Sequence, residues 1–178
     1  MKRVLCLLAD GFEEIELVTP VDLLRRAGAD VVIAALGGNI ATGRCGMRLV
    51  ADAMLDDVDA ASFDMLLIPG GPGVTRLRED GRAAALAKQF ADAGKMIAAI
   101  CAAPLVLKDA GLLAGRSFTA FDSVRAELGA GVVDERVVVD GNLITSRGAG
   151  TALDFALALV AHLFGDERAM EIRKEIMA

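Results

Sequence analysis

Lys95-Met-Ile-Ala-Ala-Ile-Cys-Ala-Ala-Pro-Leu-Val-Leu-Lys-Asp-Ala-Gly111 is the stretch from which the fold can be read. The apolar run Met96–Ile100 is short and closely flanked, which suits a strand buried on both faces. Cys101 follows at once, and Pro104 then stands where the first turn of a helix is expected. Proline is tolerated there because the first N–H groups of a helix have no intrahelical partner. Cys101 is therefore expected at a sharp strand-to-helix turn, a nucleophile elbow that pushes one side chain out of the sheet. Partial positive charge at the helix start is expected to favour its thiolate.

Outward from this point the same alternation repeats. Val4–Ala9, Asp30–Leu36 and Asp64–Ile68 read as buried strands, each closed by turn residues. Thr19, Pro20 and Gly28 suit the cap, first position and stop of a helix. Asp80–Ala93 has an amphipathic period, Arg116–Thr119 reads as a short strand, and Asp122–Leu128 as a helical turn. Arg136–Asp140 and Asn142–Ser146 flank Gly141 as a hairpin, Thr151–Phe164 is a nearly all-apolar helix, and Glu167–Met177 a closing one. Gly37–Gly46 reads as a polar loop, Arg48–Ala51 as an edge strand, and Asp52–Ser62 as irregular or briefly helical.

Strands alternating with helices predict a single α/β domain, a doubly wound and mainly parallel sheet sandwiched by helices. In such sheets sites lie beyond the carboxyl ends of the strands, near the switch point. Asp10–Glu16, Pro69–Gly73 and Cys101–Ala103 each follow a buried strand and are expected to meet at one edge.

Composition narrows the function. The 178 residues are 54% hydrophobic and 25% charged, the balance of a compact globular chain. A net charge of −6 argues against nucleic acid as a partner. No apolar run approaches membrane-spanning length, and Val4–Ala9 meets Asp10-Gly11 too soon for a signal peptide. Three scattered cysteines, Cys6, Cys45 and Cys101, make no disulfide framework and suit a reducing cytoplasm. Cys6 reads as core, while Cys45 lies in a polar loop. Pro69-Gly-Gly-Pro-Gly73 lacks a nucleotide-binding pattern and has no lysine in place, so its glycines suit a close backbone approach to a small substrate. No spacing suits a metal or other cofactor. His162, the lone histidine, reads as a core or interface residue, and Arg25 and Arg26 as structural residues near a helix end.

Asp10-Gly-Phe-Glu-Glu-Ile-Glu16, Pro20-Val-Asp-Leu-Leu-Arg-Arg-Ala-Gly28, Ile68-Pro-Gly-Gly71, Ala98-Ala-Ile-Cys-Ala-Ala-Pro104 and Asp140-Gly-Asn-Leu-Ile-Thr-Ser-Arg-Gly-Ala-Gly-Thr151 together resemble the ThiJ/PfpI superfamily, close to its Parkinsonism-associated deglycase branch. The resemblance implies a flavodoxin-like fold and a homodimer. It implies Cys101 as the reactive cysteine, Glu16 as the acid beside it, and backbone N–H groups of Gly71 and Ala102 as an oxyanion hole, with Gly70 and Arg147 lining the substrate site. The implied activity is cofactor-free and of glyoxalase or deglycase type, on a small reactive carbonyl or a glycated protein. The alternative is a redox-sensing stress protein or chaperone that oxidises Cys101, and a thiamine-pathway role finds no phosphate or thiazole site among these residues. Ser117-Phe-Thr-Ala-Phe-Asp122 departs from the family by lacking the histidine that glyoxalase or peptidase members often place there, which removes a Cys–His diad and an amidotransferase triad. Gly43-Arg-Cys-Gly46 departs too, since relatives more often show serine followed by arginine or histidine.

Overall fold

The computed structural model describes residues 1–178. Its centre is a seven-stranded sheet in which β1 (Arg3–Leu8), β2 (Asp30–Ala35), β5 (Ala53–Met54), β6 (Met65–Ile68), β7 (Met96–Ile100), β8 (Val137–Asp140) and β9 (Leu143–Ser146) run in the order β5-β2-β1-β6-β7-β9-β8. Every pairing is parallel except β8 against β9. The antiparallel pair is the hairpin expected around Gly141, which takes φ +60° at its turn.

The period of two along β1 divides the core. Val4, Cys6 and Leu8 face one layer, while Leu5 and Leu7 face the other. The first layer holds α1 (Glu14–Ala27), α6 (Ala152–Phe164) and α7 (Asp166–Glu175). The second holds α2 (Val74–Asp80), α3 (Arg82–Asp92), α4 (Pro104–Asp109) and α5 (Asp122–Leu128). Leu5, Leu7, Leu66 and Leu67 are sealed from water at 1% exposure or less, and each such side chain contributes about 1.5–3 kcal/mol of transfer free energy. From β1 the chain moves one way to β2 and the other way to β6 and β7, so the switch point lies between β1 and β6. The loops leaving β1, β6 and β7 share that edge, as the alternation of elements predicts.

Several local expectations are corrected. Helix α1 starts at Glu14, ahead of Thr19, because the Glu13 carboxylate caps it by accepting from the Glu16 N–H at 2.9 Å. Pro20 therefore lies inside the helix, and Gly28, at φ +99°, ends it as expected. The helix expected over Asp80–Ala93 is present as α3, but it begins only at Arg82, because Gly81 at φ +81° separates it from α2, which begins at Val74 and ends at Asp80. The polar loop contains a strand, β3 (Ile40–Thr42), paired antiparallel with β4 (Arg48–Val50) as a hairpin outside the main sheet. Short β5 adds an edge strand where irregular chain is expected. Arg116–Thr119 forms only an isolated bridge, Phe118 to Val132. His162 is exposed and not in the core, its Nδ1 3.3 Å from the Ala158 carbonyl oxygen. No helix is long and apolar enough to cross a membrane.

Candidate active site

Cys101 leaves β7 in a conformation that L-residues rarely adopt, φ +66°. Such a residue costs about 1–3 kcal/mol and persists only where its surroundings over-determine it. Here both backbone groups are pinned. The Cys101 N–H donates to the Ser146 carbonyl at 2.9 Å, extending the β7–β9 ladder by one residue, and the Cys101 carbonyl accepts from the Phe121 N–H at 2.9 Å. The elbow expected from the strand–Cys–Pro pattern is thus present, with Pro104 opening α4.

Glu16 comes from the first turn of α1 and is 1% exposed. Its Oε2 accepts from the Gly70 N–H at 3.0 Å, and its carboxyl group lies beside the Cys101 thiol, each acting on the other's ionisation. The run Glu13, Glu14 and Glu16 is not a solvated acidic face, because all three carboxylates are buried. The N–H groups of Gly71 and Ala102 are directed at the Cys101 sulfur. These two donors come from different strand ends, β6 and β7, and converge on one point.

The glycines make this convergence sterically feasible. A Cβ on Gly70 would lie 2.4 Å from Glu16 Oε2 and 2.6 Å from the Cys101 Cβ. On Gly71, at φ +91°, it would lie 2.6 Å from the Gly11 carbonyl oxygen. Here the Pro69–Gly73 loop approaches the carboxylate, the cysteine and the Gly11–Glu13 backbone as closely as main chain can. That refines the expectation that its glycines serve a close approach to substrate.

Burial and mutual repulsion control the ionisation of the pair. Burial pushes the Glu16 carboxyl up to about 7, with Glu13 adding to the rise and the Cys101 thiol, the Gly70 N–H and Arg44 opposing it. Burial and then the Glu16 charge push the Cys101 thiol up to about 12, against the Gly71 and Ala102 N–H groups. The expected thiolate-favouring elbow is therefore corrected. α4 spans only Pro104–Asp109, and its partial charge does not offset desolvation of a sulfur that is 8% exposed. The two groups titrate as a unit. A proton on Glu16 removes the charge that opposes ionisation of Cys101 and supplies a donor to the sulfur.

The Cys101 sulfur opens into a cleft of about 260 Å³ lined by Gly71, Ala102, Leu105, Phe121, Arg44 and Arg78, among others. Arg78 is committed to Asp109 at 2.6 Å and Glu127 at 2.8 Å. Arg147 does not line this cleft. It lies in an adjoining depression beyond Phe121, 3.3 Å from Asp134 and 3.8 Å from Asp122. Its neighbour Gly148 comes nearer, a Cβ there being 3.8 Å from Glu16 Oε1. Arg44 and Phe121 were not legible as site residues, because neither follows a buried parallel strand directly, whereas Gly148, two residues past the buried parallel strand β9, carried that signal and was missed. Cys6 is in the core at 0% exposure, its thiol pushed far up by burial. Cys45 is exposed, and no histidine, cysteine, aspartate and glutamate side chains gather in a group of three or more that could hold a metal.

Comparison with known proteins agrees with this geometry. Residues 2–162 match the profile of the DJ-1/PfpI family. The chain is 41% identical over 97% of its length to DJ-1 homolog B of Arabidopsis thaliana, of which it spans only 40%. It is 39% identical to a deglycase of Thermococcus kodakarensis, over 83% of this chain and 91% of that one. The structure of oxidised Toxoplasma gondii DJ-1 superposes with a TM-score of 0.95 and 36% identity, covering 99% of this chain and 98% of that one. With its elbow cysteine, buried glutamate and parallel seven-stranded sheet, the chain belongs to the DJ-1/PfpI family.

Proposed function

We propose that this protein is a cysteine-dependent, cofactor-free enzyme acting on small reactive carbonyls, of glyoxalase or deglycase type. The observation that carries the reading is the meeting of one sulfur with a buried carboxyl group and two N–H donors from separate loops at the floor of an open cleft. Relatives named deglycases in Thermococcus and Pyrococcus support the same class. Cys101 is the nucleophile, Glu16 the general acid and base, and the Gly71 and Ala102 N–H groups stabilise the oxyanion.

For methylglyoxal the steps balance without an external oxidant. The Cys101 thiolate adds to the aldehyde carbon, a C–S bond forms, and the carbonyl oxygen takes a proton from Glu16. Glu16 then carries a proton from that carbon to the neighbouring one while the hydroxyl proton on the first oxygen passes to the ketone oxygen, so the aldehyde carbon is oxidised to a thioester and the ketone carbon reduced to an alcohol. Water cleaves the resulting thioester to lactate and the free thiol. A carboxyl group whose proton affinity lies near neutrality suits both directions of transfer. Only Glu16 performs them here, since no histidine lines the cleft.

Ile15 and Val18 on α1 expose 51% and 46% of their surface, and Met47 and Val50 on the adjacent hairpin each expose 63%. This apolar face favours a homodimer, and three unpaired thiols favour a reducing cytoplasm. A second reading is redox sensing, favoured by the oxidised state of the Toxoplasma relative and by N–H donors able to hold sulfinate oxygens. The deciding test follows methylglyoxal loss and lactate formation in wild type and Cys101→Ser. Lactate produced by wild type alone supports the enzyme. Equal rates in both sink it, and absence of turnover together with selective peroxide oxidation of Cys101 transfers the assignment to sensing.

A further inference from the structure

Arg44 is an exposed cation that lines the Cys101 cleft and takes part in none of the chain's ion pairs. The other cleft guanidinium, Arg78, is engaged by two carboxylates. A free guanidinium in a protein of net charge −6, beside a site whose nucleophile and acid are both anions when ionised, needs a physical reason.

The turn that presents it is tightly built. The Arg44 N–H donates to the Phe12 carbonyl at 2.9 Å. On the following residues, Glu14 Oε1 accepts from the Cys45 N–H at 2.8 Å and the Met47 N–H at 3.3 Å. On the preceding residue, a Cβ on Gly43 would fall 2.3 Å from Glu14 Oε1, so only glycine lets the turn close on that carboxylate. Burial pushes the Glu14 carboxyl up, but the hydrogen bonds from its own backbone, Cys45 and Met47 outweigh it and hold it below the ordinary value. Glu14 thus fixes the backbone on either side of Arg44 while leaving the guanidinium unneutralised. Glu14 and Glu16 share the first turn of α1, which ties the turn to the site.

We infer that Arg44 makes the cleft a receiving site for anionic substrates, so that α-oxoaldehydes bearing a carboxylate arm are preferred to neutral ones. This deepens the proposed carbonyl chemistry and rests on it for the substrate, though not for the anion site itself. The reacting carbonyl lies at Cys101 and the carboxylate arm reaches outward to Arg44. A guanidinium is suited to this task because its planar fork matches a carboxylate and is always charged.

The test has two arms. The first alkylates the protein with iodoacetate, an anion, and with iodoacetamide, its neutral analogue, and reads each cysteine by peptide mass spectrometry. In both reactions the Cys101 sulfur bonds to the CH2 carbon and iodide leaves, so the ratio of rates cancels the thiolate fraction and reports reagent charge. Arg44→Gln should lower the iodoacetate-to-iodoacetamide ratio at Cys101 by about fivefold, the scale of one exposed, water-screened charge acting over about 4 Å. Arg44→Lys should retain most of the ratio, and high salt should shrink the difference. A ratio unchanged in Arg44→Gln, or lowered as much in Arg44→Lys, overturns the inference.

The second arm compares kcat/KM for methylglyoxal and for dioxovalerate, an α-oxoaldehyde with a propionate arm. The expected loss in Arg44→Gln falls on dioxovalerate and chiefly in KM. A wild type inert towards both compounds but charge-selective in alkylation ends the enzyme reading and leaves the anion site standing. Turnover of both with no loss of charge preference in Arg44→Gln refutes the anion site and leaves the enzyme standing.

Discussion

Cys6 lies within one central strand of the sheet and Cys101 just past the end of another, yet only one is placed to do chemistry. Cys6 lies within β1, at 0% exposure, packed among aliphatic neighbours with ladder partners on both sides. Cys101 stands one residue past the end of β7, at 8% exposure, with φ +66° and a sulfur aimed at a carboxyl group and two N–H donors. Burial raises the thiol pKa in both, so desolvation alone does not distinguish them. What distinguishes them is position along the strand. Inside a strand the side chain meets only other core side chains, whereas at a carboxyl end three loops can bring their polar groups to it. The site is a property of the sheet edge more than of the cysteine.

The sharpest way to break this contrast is to remove each sulfur. Cys101→Ser should lower methylglyoxal turnover by at least about a thousandfold, since the covalent route is lost and a serine without a basic partner is a poor nucleophile. Residual activity near wild type would mean that the strand-end position carries no catalytic advantage. Glu16→Gln should cost about a hundredfold, the usual scale for a lost general acid–base group, and should abolish the pH dependence near pH 7 that Glu16 imposes. A pH profile retained in the glutamine variant would assign that limb elsewhere.

Glu16 also gives a stability signature with a definite sign. Its folded-state pKa, about 7, is raised above the 4.5 of a free glutamate carboxyl, so the native state binds the proton more tightly than the unfolded chain. The stabilisation from the protonated form is complete below pH 4.5 and is lost as pH rises through 7. Chemical denaturation between these limits should show wild type losing stability relative to Glu16→Gln. A parallel pH dependence in both would show that the carboxyl group is not held protonated by burial.

Gly70→Ala tests the close approach that assembles the edge. The added Cβ meets Glu16 Oε2, the Cys101 Cβ and the Ile100 carbonyl oxygen at 2.4, 2.6 and 2.8 Å, and two of these three atoms belong to elements that cannot rotate away. A loss of about 1–3 kcal/mol in denaturant unfolding is expected, together with loss of turnover. Full activity in a stable variant would show that the loop yields without cost.

Much of this edge was legible because its causes are local. The run Met96–Ile100, the cysteine and Pro104 specify strand, elbow and helix in order, and the glycines of Pro69–Gly73 announce a tight turn at a neighbouring strand end. The parallel sheet followed from the alternation of elements. What was misread depended on distant partners. Glu13 caps α1 with its own side chain, so the conspicuous Thr19-Pro20 pair marked a false start. β3 exists because Ile40–Thr42 finds β4 beside it, and no local pattern outweighs the polar residues around it. The thiolate expectation considered the helix dipole and not the depth at which three loops would bury the sulfur. Arg147 was placed by its motif, yet Asp122 and Asp134 draw it behind Phe121.

The smallest effect belongs to the other cysteine. Cys6→Ser exchanges a buried sulfur for a hydroxyl in the middle of β1, where the surrounding side chains are Val4, Leu8, Leu17 and other aliphatics of the same layer. The Cys6 thiol makes its one hydrogen bond to the Leu7 carbonyl oxygen, at a long 3.9 Å, so a shorter hydroxyl gains no good partner in exchange for its lost hydration. Burying it should cost about 1–3 kcal/mol, read as a lowered denaturation midpoint at constant slope. Turnover per folded molecule should stay at the wild-type level, because nothing in the cleft touches β1 at this position. Iodoacetamide should label Cys6 only as the protein unfolds, while Cys101 is labelled in the native state. Native labelling of Cys6 at the Cys101 rate would erase the distinction between strand interior and strand end. Unfolding-limited labelling would place it on the chain itself, two thiols of one protein differing in reactivity because one lies inside its strand and the other just beyond the end.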